Sequence, residues 1–301
     1  MASQVTTSSA DRAGAQRRTA LANVSLTSAL AFAIYAPILY HMVLHWHLVD
    51  DYSHGFLIGP LAVYFAWERR GKLRRAAVEP SWWGVLPLAL GLLSLTVGRM
   101  GVEQMTMRAG FVLTLNGLVL LLLGRAIYRI LAFPLLFLFL AVPLPQSLVN
   151  VVSFPLQLMA ADLAVSALQQ FGVPVLREGN IIHLPMSRLF VAEACSGLRS
   201  LMALGTLGVV FAYFFRKNPI ERIVIVASTL PIAVLVNAFR VGLTAGLSYK
   251  WGPQMAAGVI HQTEGFFTFG LAFGLLLLEA WLLKMFWPKS WRRPRRGGAP
   301  V

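Results

Sequence analysis

The sequence contains a single cysteine, Cys195. No disulfide can form within one chain, so a scaffold stapled by such bonds is excluded. Charge is scarce. Only 13% of residues are charged, where a soluble domain carries about 25%. Acidic residues are the rarer sign, 12 against 26 Lys and Arg. No internal repeat or low-complexity segment is evident. What fills the space is apolar: 57% of the chain is hydrophobic and the mean hydropathy is +0.68. The apolar residues gather in runs, chiefly 21–46, 111–123, 223–239 and 266–287. Runs near 20 residues match a hydrocarbon core about 30 Å thick. An all-α polytopic membrane domain over 22–287 is therefore expected. A polar N-terminal tail, 1–21, precedes it and a basic tail, 288–301, follows.

The formal charge of +14 suggests nucleic acid until its positions are read. The cations sit in short clusters between apolar runs, such as Arg69, Arg70, Lys72, Arg74 and Arg75, or Arg292, Arg293, Arg295 and Arg296. That is the pattern of cytoplasmic loops, and no groove-reading motif accompanies it, so no nucleic-acid partner is expected. The first run is too long for a signal-peptide core and closes on His41, His45, Trp46 and His47, so it is read as a retained helix.

Placing the basic clusters inside predicts about eight transmembrane helices, with both termini cytoplasmic. They fall near 22–44, 55–68 (short), 82–98, 108–124, 126–142, 195–215, 222–247 and 264–287. The cations left outside are Arg99, Arg108, Arg177, Arg188, Lys250, Arg199 and Arg240. The segment 145–194 is the exception. Its first part, 151–171, is apolar but interrupted by Pro155, Gln157, Asp162, Gln169 and Gln170, and is expected to form an amphipathic helix that lies at the outer interface or caps a cavity. Its second part, 173–191, reads as an ordered outer loop with a hairpin.

Polar groups at membrane depth are costly, so they are functional candidates. Three sets fall on the expected outer side. Cys195 lies in Glu193-Ala194-Cys195-Ser196-Gly197-Leu198-Arg199, where the loop meets the sixth helix. Unpaired N–H groups at a helix start, and Arg199 one turn on, would stabilise a thiolate. The bland alternative is a small apolar residue in a membrane helix. Asn237-Ala238-Phe239-Arg240 places a cation near a helix end, either snorkelling to water or held for a carboxylate or oxyanion. His261 and Glu264 precede the last helix; imidazole suits proton transfer, though an exposed loop histidine is the simpler reading. A fourth cluster, Asp50-Asp51-Tyr52-Ser53-His54-Gly55, suits substrate binding or a helix cap. His41, His45, His47 and His183 are weaker candidates. No carboxylate completes a metal site with them, and no metal or cofactor is expected.

Taken together and in order, these motifs resemble the exosortase family of bacterial membrane transpeptidases. The resemblance rests on Asp51-Tyr52-Ser53-His54-Gly55-Phe56-Leu57-Ile58, on Ala194-Cys195-Ser196-Gly197-Leu198-Arg199-Ser200, on Asn237-Ala238-Phe239-Arg240, and on His261 with Glu264-Gly265. It implies Cys195 as nucleophile, Arg240 as electrophilic stabiliser and His261 as general acid/base. It also implies a bacterial inner-membrane location with the site on the periplasmic side. The implied substrates are exported proteins ending in a sorting tail: a Pro-Glu-Pro-type motif, a transmembrane helix and a basic end. Asp51, His54, Glu193, Arg199, Asn237 and Glu264 are auxiliary candidates, and the acceptor nucleophile stays open. A transporter, a membrane acyltransferase or a non-catalytic subunit of an envelope polysaccharide export system are the other readings. A transporter is disfavoured because its polar residues would line a midplane path instead of clustering on one face.

Overall fold

In a computed structural model of the chain, residues 2–191, 198–215, 218–252 and 259–286 are described, with the side chains of 14–15, 17–191, 201–215, 218–252 and 267–285. The described residues are mostly helical. They include α1 (Ala2–Leu48), α2 (Gly55–Glu68), α3 (Arg70–Arg75), α4 (Val85–Met100), α5 (Gln104–Phe137), α6 (Gln146–Gln170), α7 (Leu198–Phe215), α8 (Pro219–Trp251) and α9 (Val259–Phe286). Strands β1 (Leu176–Glu178), β2 (Ile181–Leu184) and β3 (Ser187–Phe190) lie between α6 and α7. Among the described residues, six helical segments are long and apolar enough to cross a membrane: Arg17–Leu48, Trp82–Met100, Gln104–Ala141, Gln146–Gln170, Pro219–Trp251 and Phe267–Met285. Two of the eight expected helices, α2 and the apolar stretch Leu201–Phe215 of α7, form but are shorter. Two more, expected at 108–124 and 126–142, share α5.

The chain divides into two compact units, Met1–Pro145 and Gln146–Val301. In the first, the α4–α5 contact is built from glycines spaced by seven residues, a spacing that keeps them on one helix face. Gly91 faces Gly110 and Gly84 faces Gly117 in the antiparallel sense, while Gly98 meets Met107 and Glu103 and Gly124 meets Glu79. A Cβ on Gly91 would stand 2.7 Å from the Gly110 carbonyl, and one on Gly117 would stand 2.4 Å from the Leu88 nitrogen. Lipid tails are as apolar as leucine, so membrane helices gain by close backbone approach, and small residues permit it. Tyr35 of α1, fully buried, donates its hydroxyl to the Gly91 carbonyl at 3.1 Å and lies 3.1 Å from the Thr114 hydroxyl. Such interhelical bonds average about 0.6 kcal/mol in membranes, so the packing carries more of the contact than the bond does.

Gly124 ends the ridge and breaks α5. Its φ of 84° and ψ of −178° interrupt the helix where the two expected helices were to meet. The extended chain at Glu79 pairs there, with Glu79 N–H donating to the Leu123 carbonyl at 3.4 Å and Ser81 N–H to Leu121 at 3.1 Å. A Cβ on Gly124 would stand 1.7 Å from the Glu79 carbonyl oxygen. Gly124→Ala therefore meets both a left-handed φ and a backbone clash. It is expected to destabilise the chain by roughly 3 kcal/mol, read as a lower thermal-unfolding midpoint in detergent. Gly59→Ala, with nothing within 4 Å of the added methyl, should be neutral or slightly stabilising because alanine is the better helix former.

The basic loops of this unit meet at one end. Arg17 donates to the carbonyls of Leu73 and Arg74, tying α1 to α3, and Arg69 donates to the Ile130 carbonyl of α5. Fully buried Phe65 of α2 packs between Phe133 and Phe137.

In the second unit, α6 is long and apolar enough to cross a membrane, where an interfacial amphipathic helix was expected. It is 25 residues long, and its most apolar 18-residue stretch has a mean hydropathy of 1.6. Its buried face holds Ser153, Gln157, Ala160, Ala161 and Ala164, while Val151, Phe154, Met159 and Leu163 are exposed. Val149, Val165 and Leu168 are buried on the same face. Of the interrupting polar residues, Gln157 is buried in the packed face, whereas Asp162, Gln169 and Gln170 are exposed. The expected loop forms a three-stranded antiparallel sheet in the order β1-β2-β3, with Leu176 opposite His183 and Ile182 opposite Leu189. Ile182 and Val191, both fully buried, pack with Ala161, Ala164 and Val165 of α6 and with Val241 of α8.

Candidate functional site

Arg240 is the best-described member of the expected catalytic set. It lies two-thirds of the way along α8, is half-buried, and its carbonyl accepts a hydrogen bond from the Thr244 hydroxyl at 2.9 Å. Asn237, three residues earlier and so on the same side of the helix, is 5% exposed. Val241, the next residue, is fully buried against the sheet and α6, which fixes α8 about its axis at this level. Two polar side-chain contacts lie on this sheet and helix: the salt bridge of Arg177 with Asp162 at 2.7 Å, and the approach of His183 to Glu178 at 3.2 Å. The first clamps β1 to α6. Both involve exposed carboxylates, and surface pairs contribute about 0–1 kcal/mol.

Cys195 and Glu193 lie outside the described residues, as do the side chains of Arg199, His261 and Glu264. Their sequence neighbours are placed. Val191, four positions before Cys195, donates its N–H to the Asn180 carbonyl at 3.0 Å and is buried beside Val241. Arg199 is the second residue of α7. His261 and Glu264 fall in the first two turns of α9, which starts at Val259. The sequence placed His261 just ahead of a helix near 264; here His261 falls within the described helix Val259–Phe286.

The Asp51–His54 motif belongs to the first unit. Asp50–Tyr52 forms one 3₁₀ turn, and His54 stands immediately before α2. Tyr52 is buried and donates its hydroxyl to the Leu144 carbonyl at 3.3 Å. Its ring lies 5.2 Å from that of His45 and 6.3 Å from that of His54. Burial raises the Tyr52 phenol above its ordinary pKa, with the Leu144 hydrogen bond acting against the shift. Burial lowers the His54 imidazole, although the carbonyls of Leu140 and Asp51 favour its charged form. His54 is 9% exposed and its Nδ1 is buried without a hydrogen-bond partner.

Sequence reasoning missed Arg108, which it had counted only among the outer cations. It is 4% exposed and donates to the Gln104 side chain one turn earlier on α5. The signal was available, since an arginine four residues inside an apolar helix must be buried with partners or reach water.

Glu103 opens α5. Its carboxylate accepts N–H bonds from Met105 at 3.0 Å and from Thr106. Burial would raise this carboxyl, but the hydrogen bonds from Thr106 and Met105 and the Arg108 cation hold it below its ordinary value of 4.5. A depressed folded pKa adds stability that is complete above 4.5 and lost as pH falls through the lower folded value. Glu103→Ala should lower stability at neutral pH by about 1 kcal/mol, the usual worth of an N-cap. The gap between wild type and variant should close on acidification, as read from unfolding midpoints across that range.

These features define a class: a multi-pass helical membrane protein that carries a small three-stranded sheet. A family profile described as transmembrane exosortase matches residues 46–278. The chain belongs to the exosortase family. No characterised protein and no solved structure gives a significant match to the chain.

Proposed function

We propose that this chain is a membrane-embedded cysteine transpeptidase or protease that cuts C-terminal sorting tails from exported proteins. The observation that carries the reading is the family match over 46–278, which runs through all four motif segments and contains the chain's single cysteine. The position of Arg240 on a packed helix beside the sheet that leads to Cys195 supports it. In this reading the basic clusters are cytoplasmic and Cys195 works on the periplasmic side of the bacterial inner membrane.

The reaction would run as acyl transfer. His261 takes the proton of the Cys195 thiol, and the thiolate attacks the scissile carbonyl carbon near the Pro-Glu-Pro-type motif. The carbonyl π electrons move to oxygen, where the Arg240 guanidinium stabilises the oxyanion. Collapse breaks the C–N bond. His261 returns the proton to the leaving nitrogen, which departs with the tail helix. The thioester on Cys195 passes to an incoming amine or to water, restoring the thiol. Asn237, Arg199, Glu193 and Glu264 would position these groups, and Asp51 and His54 would act on the substrate. The sorting tail, itself a transmembrane helix, would meet the bundle within the bilayer.

Because the chain has one cysteine, a membrane-impermeant maleimide reads its side directly. Spheroplasts should be labelled from outside, and Cys195→Ala should abolish the signal. Co-expression with a tagged tail protein should yield the shortened product. Labelling only after the membrane is permeabilised, or an uncut tail protein, overturns the proposal.

A further inference from the structure

The Gly124 break places a tryptophan pair beside an arginine at the rim of a span. Pairing of 79–81 with 121–124 carries Trp82 and Trp83 to the start of the Trp82–Met100 span, and Arg125 follows the break directly. The Arg125 guanidinium lies 5.3 Å from the centre of the Trp83 ring. Trp82 and Trp83 are 85% and 65% exposed. With Val85, Leu86 and Ala89 they line an open apolar hollow of about 520 Å³. Arg70 repeats the pairing nearby, 3.9 Å over Trp67.

The charge at this end is one-sided. Arg70, Lys72, Arg74, Arg75, Arg125 and Arg129 are exposed, against the carboxylates of Glu68 and Glu79. Among the described residues no salt bridge engages Arg125. Tryptophan and arginine at a membrane rim, with a cation beside an apolar hollow, match a molecule with an anionic head and an acyl chain. We infer that this rim is a binding site for an anionic phospholipid. The phosphate would sit against Arg125 and its basic neighbours, and an acyl chain would lie in the hollow beside Trp82, Trp83 and Leu86. A free phosphate would use only the cations and leave the hollow unused.

The test uses the full-length chain purified in a neutral detergent, with phosphatidylglycerol, phosphatidylcholine and glycerol phosphate as probes. Phosphatidylglycerol should raise the unfolding midpoint and remain bound in native mass spectra, while phosphatidylcholine and glycerol phosphate should do neither. Arg125→Gln should weaken phosphatidylglycerol binding about fivefold, the scale of one surface cation. Trp83→Ala should weaken it too, while Arg125→Lys should keep most of it and Arg188→Gln, on β3, all of it. Raised salt should weaken binding to the wild type, a readout that needs no variant to fold. Equal binding of the two phospholipids, an unchanged Arg125→Gln, salt-independent binding, or full competition by glycerol phosphate each overturns the inference.

Discussion

On the proposed mechanism, Cys195→Ala is expected to reduce tail cleavage by at least about 10³-fold, because it would remove the atom that forms the acyl bond. What remains after loss of a nucleophile comes from binding and oxyanion stabilisation alone, and it is small beside the whole rate enhancement. The experiment compares wild type and variant at equal membrane abundance, scoring uncut and cut forms of a tagged tail protein. The variant should still capture the tail and accumulate it uncut. A transporter or a scaffolding subunit would tolerate the change, since neither needs a nucleophile. Cleavage that persists in Cys195→Ala would therefore remove the protease reading altogether.

Arg240 should show the second-largest effect. Loss of one preorganised donor to an oxyanion costs about 10²–10³ in kcat in other acyl-transfer enzymes. Arg240→Gln is expected to fall in that range with tail binding little changed, because the charge it would stabilise in the proposed mechanism develops only on the way to the tetrahedral intermediate. Arg240→Lys should recover part of the loss: it restores the charge but not the planar fork of donors. Val241 is locked against α6 and the sheet, so neither change should disturb the course of α8, and unfolding midpoints should confirm that. An Arg240→Gln variant cutting within a few-fold of wild type would return Arg240 to the snorkelling role.

Much of the fold was legible because a bilayer imposes length. The apolar runs at 21–46, 223–239 and 266–287 became the cores of α1, α8 and α9, as a hydrocarbon slab about 30 Å thick requires. The boundary expected between 124 and 126 became the break at Gly124. Motif order was equally legible, and the family match at 46–278 covers every motif segment. Other features were not. The glycines at 84, 91, 98, 110, 117 and 124 were visible as letters, yet no repeat was recognised, because their meaning depends on two helices running antiparallel. Of the polar residues that interrupt α6, Asp162, Gln169 and Gln170 are exposed, whereas Gln157 is buried within the second unit. Arg108 was counted as an outer charge and is almost wholly buried.

The amino-acid sequence alone determined the solvent of this protein, the places where its chain crosses or turns, and the cysteine, arginine and histidine on which a chemical reading rests. Tertiary structure decided which faces of those helices meet. Hydropathy reports transfer from water to an apolar phase, and in a bilayer the packed face and the lipid-facing face lie in equally apolar surroundings. Only contacts such as the close approach of backbones at Gly91 and Gly117 distinguish the two. Those contacts exist only once the helices are side by side.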